Sequence, residues 1–209
     1  MGICRVSYEV AEMTYTEDLI PKGNKNRPCE PCSMQYITVH ETANKARGAD
    51  AQSHAKYLKS LKEYKSWHYT VDDKCVYQHL PDNEKSYHTS SRLANEKSIA
   101  VEICVNSDGD FEKAKKNAAE LISGLMLLHN IPEERIVPHK YWTGKNCPAR
   151  ILKSGFEDFV KMCEKRTGTN EKTLYKVQIG AFESKENAER LAEKARKQGY
   201  SVIIKEEKI

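Results

Sequence analysis

The stretch SIAVEICV, residues 98–105, decides how this chain folds. Side chains alternate between the two faces of a strand. Ile99, Val101, Ile103 and Val105 therefore share one face, and Ala100, Glu102 and Cys104 share the other. This is the most apolar strand of the chain. A carboxylate with nothing to do would be costly in such a place, so Glu102 is a candidate functional group.

Working outward from that strand, Tyr36–His40 alternates in the same way, with Ile37 and Val39 on one face and Thr38 and His40 on the other. Trp67–Val71 and Cys75–His79 flank Asp72-Asp73-Lys74 and read as a β-hairpin. Ile136-Val137 is a short strand between Pro132 and Pro138. Helical spacing appears at Ala51, Ala55, Leu58 and Leu61, with His54 expected on the exposed side. It recurs over Glu112–His129, the longest helix, and from Pro148 to about Lys165. Residues 21–33 are dense in Pro, Gly, Asn and Lys and read as a long loop. Strands and helices mix without strict alternation. The expected fold is α/β, a mixed central sheet flanked by helices on both faces.

The chain has 209 residues, 39% apolar and 31% charged, with a mean hydropathy of −0.73. It has enough aromatic and aliphatic residues for a core, and no run approaching the ~18 apolar residues of a membrane span. Arg5 and Glu9 interrupt the place where a signal peptide needs an apolar stretch. The net charge of +4 is unevenly spread. Residues 1–164 hold 23 bases and 23 acids, whereas residues 165–209 hold 11 and 7. That asymmetry predicts two parts with different tasks. Seven cysteines without an export signal predict free thiols rather than a disulfide framework. Cys29-Glu-Pro-Cys32 lacks a second pair at zinc-finger spacing and reads as a turn rather than a knuckle.

Most of the seven histidines suit structural roles: His79 closes a strand, and His129 ends a helix where a cation suits the dipole. Three residues stand apart. His40 ends an apolar strand, where sheets commonly present functional side chains, and His139 and Cys147 frame a loop before a helix. Two imidazoles and a thiolate make three protein ligands and leave a fourth tetrahedral position free, the pattern of a catalytic zinc. Spacing alone leaves that reading and a structural one both open.

The segments YITVHETAN, SWHYTVDD, VYQHLP, SIAVEICVNSDGDF and VPHKYWTGKNCPARIL occur in that order. Together they resemble the type 2 N-acetylmuramoyl-L-alanine amidases, zinc enzymes of phage endolysins and Gram-positive autolysins, with the Bacillus and Clostridium branch most similar. The resemblance covers about residues 15–163 and implies the fold of the T7-type lysozymes. It implies Zn2+ held by His40, His139 and Cys147, with Glu102 and Lys145 catalytic and His88 and Trp67 contacting substrate. The implied reaction is hydrolysis of the amide between N-acetylmuramic acid and L-alanine in bacterial peptidoglycan. Two segments depart from the family pattern: Tyr87-His88-Thr-Ser replaces Trp-His-Ala-Gly, and Ile99-Ala-Val-Glu102 replaces Ile-Gly-Ile-Glu.

Residues 173–209 follow a linker at 165–172 and read as one βαβ unit. LYKVQIGAF, residues 174–182, resembles the start of a SPOR peptidoglycan-binding domain at half its length. That implies wall binding, or a homodimer that completes the domain. Two other readings are weighed. A non-catalytic peptidoglycan recognition module would tend to lack the cysteine ligand, which is present. A nucleic-acid partner would need a basic track, but seven acids interleave the tail's eleven bases. Neither nucleic acid nor a membrane is an expected partner. An autolysin would be secreted; an endolysin would wait in the host cytoplasm.

Overall fold

The computed structural model describes residues 3–8, 11–164, 182–197 and 204. The chain divides into two compact units, residues 1–169 and 170–209.

The first unit is built on a seven-stranded mixed sheet of order β1-β2-β5-β4-β6-β3-β7. Its strands are β1 (Ile3–Tyr8), β2 (Ala11–Glu17), β3 (Tyr36–Glu41), β4 (Tyr69–Val71), β5 (Val76–Gln78), β6 (Ser98–Ile103) and β7 (Ile136–Pro138). Strands β3, β4, β6 and β7 run parallel; β4 and β5 form the expected antiparallel hairpin. The hairpin of β1 and β2 was not anticipated in the sequence. It extends the sheet edge, joined to β5 only through Thr16 and Glu17.

Alternation sorts the centre of the sheet into two unlike faces. Ile37, Val39, Tyr69, Val71, Ile99, Val101 and Ile103 point to one side. There they pack on α3 (Phe111–His129) and α6 (Phe156–Glu164), through Ala118, Ile122, Leu125 and Phe159. The other side carries Thr38, His40, Thr70, Ala100, Glu102 and Cys104. Smaller apolar groups cover it: Ile20, Leu58, Trp67 and Leu80 in one, Ala51, Ala55 and Tyr77 in the other. The chemistry-bearing residues lie on this second, more polar face.

Local sequence explains the helix limits. Asp50 caps α1 (Ala51–Ser60) by accepting from the Ser53 amide, and Asp110 caps α3 by accepting from that of Lys113. Asn130 ends α3 in the left-handed conformation. Three expectations need correction. His54 is not exposed: it lies three residues after Ala51 and four before Leu58, so the helical period puts it on the buried stripe. Its Nδ1 bonds the Asp50 carbonyl at 2.8 Å. The helix after Pro148 is two helices, α5 (Ala149–Ser154) and α6, because Gly155 takes a φ of +108° between them. His139 is not in a loop; it opens the short helix α4 (His139–Thr143), which stops at left-handed Gly144. The six cysteines among the described side chains are free thiols, Cys29 exposed and Cys32 buried.

In the second unit, α7 (Lys185–Lys197) lies where a tail helix was expected and buries Ala192 and Ala195. The two tail strands predicted around it lie outside the described residues.

Candidate metal centre

Strand register brings the site together. Parallel pairing sets His40 of β3 beside Glu102 of β6, both on the polar face at the carboxyl ends of their strands. This is the end at which open α/β sheets bind ligands. On the other flank β7 pairs Val39 with Pro138, which delivers His139 directly into α4. The chain then turns at Gly144, where the Lys140 amide donates to the Cys147 carbonyl at 3.1 Å and closes the loop. Cys147 is fixed from behind by Glu41. That side chain accepts from the Arg150 and Ile151 amides at 2.8 and 3.0 Å, capping α5, which has no side-chain cap of its own.

The result is a cluster in which donor atoms of His40, His139 and Cys147, all buried, lie within 4.8 Å of one another. His40 Nδ1 is 3.9 Å from Cys147 Sγ and 3.9 Å from Glu102 Oε1. The rings of His40 and His139 meet at 4.6 Å between centroids. Nitrogen and sulfur ligands of a tetrahedral zinc stand about 3.6 Å apart, so the observed spacing needs only a small contraction. Two buried polar atoms at the site, His139 Nδ1 and Glu102 Oε2, have no hydrogen-bond partner in the protein. A cation among these four side chains would satisfy both. The donor set therefore fits a zinc ion.

Electrostatics support the same fit. Burial first, then the neighbouring His88, His139 and Lys145, hold His40 well below the ordinary histidine range. It is a neutral imidazole with a free lone pair. Burial likewise lowers His139. Burial pushes the Cys147 thiol up to about 11, so its ionisation depends on a cation close by. Burial raises Glu102 to about 7, against the opposing pull of Lys65 and Lys145. A carboxyl at that value can both take and give a proton near neutrality. Lys145 is exposed on the loop before Cys147, and its charge is felt by His40, His139, Glu102 and Cys147.

A cleft of about 310 Å3 is lined by Thr42, Asn44, Ala49, Ser53, His54, Tyr57, Lys65 and Trp67, and the charge of Lys65 is felt by Glu102. Trp67 is 3% exposed, and its Nε1 donates to Thr70 Oγ1 at 2.7 Å. The ammonium of Lys65 sits over the rings of both Trp67 and Tyr57, at 5.8 and 5.9 Å. His88, expected against substrate, is placed elsewhere. It is buried behind His40, with Nδ1 2.9 Å from His40 Nε2 and Nε2 facing the Ala94 carbonyl and Ser98 Oγ. Sequence reasoning missed Glu41, Thr38, Ser98 and Lys65. Only Lys65 had a local signal, a cation two residues before the tryptophan.

Two histidines, a cysteine and a glutamate gathered at the carboxyl end of a mixed sheet define a site able to hold a metal ion. The N-acetylmuramoyl-L-alanine amidase profile matches residues 30–150, and the SPOR domain profile matches residues 149–208. The chain belongs to the N-acetylmuramoyl-L-alanine amidase family. It is 52% identical over 143 residues to amidase CwlH of Bacillus subtilis, covering 67% of this chain and 57% of that protein. It is 53% identical over 138 residues to amidase XlyA of the same organism, covering 65% and 46%. The chain thus spans about half the length of these curated relatives. The solved catalytic domain of XlyA superposes with a TM-score of 0.70 at 48% identity, covering 72% of this chain and 99% of that one. The SPOR match begins earlier than the tail read from sequence. Its first part falls on α5 and α6, whose Ile151, Phe159 and Cys163 belong to the core of the first unit.

Proposed function

We propose that this protein hydrolyses the amide bond between N-acetylmuramic acid and L-alanine in bacterial peptidoglycan. The observation that carries this reading is the convergence of His40, His139 and Cys147 within 4.8 Å, with Glu102 on the adjacent strand. His40, His139 and Cys147 would hold Zn2+, which when bound supplies Lewis acidity toward a carbonyl and makes a nearby water a better nucleophile. Glu102, held near neutrality, takes the proton of the attacking water. It then returns a proton to the departing amine of L-alanine, which is a poor leaving group until protonated. The ammonium of Lys145 stabilises the negative charge that develops on the carbonyl oxygen. Substrate enters the cleft lined by Trp67 and Lys65, a reading supported by the pull of the Lys65 charge on Glu102. The similarity of the tail to SPOR domains supports a second hold on the wall, with a homodimer through that segment as its extended form. As an endolysin-like enzyme the protein would remain in the host cytoplasm until released.

The test is digestion of purified peptidoglycan with assay of the ends produced. New N-terminal alanine is expected, lost on chelation and in Cys147→Ala. New reducing sugars, or no release at all, would overturn the proposal.

A further inference from the structure

Behind the metal-facing atoms, the polar face of the sheet holds a hydrogen-bonded chain that the reaction scheme does not use. It begins on α4, the helix that His139 opens. Trp142 Nε1 can only donate, and it does so to Thr38 Oγ1 at 2.9 Å. Thr38 Oγ1 is 2.8 Å from Ser98 Oγ, and because the single proton of Ser98 goes to a carbonyl, Thr38 is the donor between them. Ser98 Oγ donates in turn to the Ala94 carbonyl at 3.0 Å. His88 Nε2 faces both of these oxygens, Ser98 Oγ at 3.1 Å and Ala94 O at 3.3 Å. With the Ser98 proton given to that carbonyl, both oxygens can only accept, so His88 carries its proton on Nε2 and presents a bare Nδ1 to His40. His40 Nε2, 2.9 Å away, must therefore be the N–H donor. That leaves the lone pair of His40 on Nδ1, the atom facing Cys147 and Glu102.

We infer that His88 is a positioning residue: through its bond to His40 it selects the one ring tautomer able to ligate a metal through Nδ1. The direction of these protons is set by the Ala94 carbonyl, which can only accept and takes the proton of Ser98. Thr38, Ser98 and His88 are all buried, with Thr38 and Ser98 fully so, and water does not compete for these bonds. The same chain ties β3, which carries one ligand, to α4, which carries another. Outer partners of this kind commonly change metal affinity by about 10- to 100-fold. This inference rests on the metal reading of the His40 site, and its test separates the two.

Two replacements of similar bulk discriminate. His88→Asn places an amide oxygen where Nδ1 stood and can still accept from His40. His88→Gln places its amide at the Nε2 end, where it reaches Ser98 and Ala94 but not His40. Zinc affinity of the full-length chain, measured by competition with a chromophoric chelator, is expected to stay within about threefold of wild type for Asn. For Gln it should fall by about 10- to 100-fold. Nitrogen-15 shifts of His40 in the metal-free protein should report the Nε2–H form in wild type and Asn, and a mixture in Gln. A residue that only fills space would affect both variants alike. Equal affinities in the two, or wild-type affinity in His88→Gln, would overturn the inference. A wild-type chain that binds no zinc would overturn it together with the metal reading.

Discussion

Glu102 shows how one side chain is set by its surroundings. Its side chain is only 12% exposed and one oxygen has no protein partner, so burial raises it to about 7. In Glu102→Gln the shape is kept and the proton transfer removed. The rate of alanine release should fall by about 10²- to 10⁴-fold, with zinc content unchanged by atomic absorption. His79 offers a second expectation, on stability. It is fully buried, and burial lowers it to about 3 against an ordinary value of 6.5. Between those values the unfolded chain binds the proton and the folded chain does not, so stability is complete above 6.5 and declines as pH falls. At pH 5.5 the loss from His79 alone is about 1.4 kcal/mol, and buried His68, also lowered, adds in the same direction. Denaturant melts at pH 7.5 and 5.5 would show this, and His79→Gln should flatten the difference. At this scale His40, His139, Cys147 and Glu102 were all legible as candidates, because each sits in a short motif with its own chemistry. Thr38, Ser98 and Glu41 were not. Thr38 and Ser98 meet across 60 residues of sequence, and Glu41 and Ile151 across 110, and no local pattern announces such a bond.

Among the elements, helix ends carry the sharpest expectations. Glu41 occupies the amide end of α5 in place of a local cap, and the same helix follows directly on Cys147. Glu41→Ala should leave two buried or half-buried amides without an acceptor. It should cost about 1–3 kcal/mol and weaken zinc binding as Cys147 loosens; paired melts and metal titration would read both. Gly155 separates α5 from α6 at a φ of +108°, and an added Cβ would come within 3.0 Å of Asp158 Oδ2. Gly155→Ala is therefore expected to destabilise by about 1–3 kcal/mol, seen as a lower unfolding midpoint. The glycine was visible in the sequence, but a continuous apolar period ran across it and prevailed in the reading. At His54 the polar residue type suggests exposure, whereas the helical period, three residues after Ala51 and four before Leu58, places the ring inside. In both cases spacing and residue type disagreed, and the packing of the helix on the sheet decided.

At the scale of the whole molecule, the uneven charge was the sequence-level sign of two units, and the chain does divide in two at residue 169. The core of the first unit closes with α5 and α6, so removal of residues 170–209 leaves every strand and helix of that core in the chain. The same truncation should reduce pull-down by insoluble peptidoglycan while sparing cleavage of small soluble muropeptides. The edge hairpin of β1 and β2 pairs locally, but its junction with the sheet is non-local and rests on only two residues, Thr16 and Glu17 against Tyr77 and Gln78.

The pairing of His40 with Glu102 has a further consequence. These two side chains owe their proximity to the register of backbone hydrogen bonds between β3 and β6, which sets them side by side. A slip of one residue between those strands would turn Glu102 into the aliphatic layer and send Val101 or Ile103 toward the ligands. Such a chain would lose its solubility and its chemistry in a single event. Preparations of this protein should therefore divide into competent and aggregated fractions, with few soluble yet silent molecules, and turnover per soluble milligram can serve as a gauge of strand register.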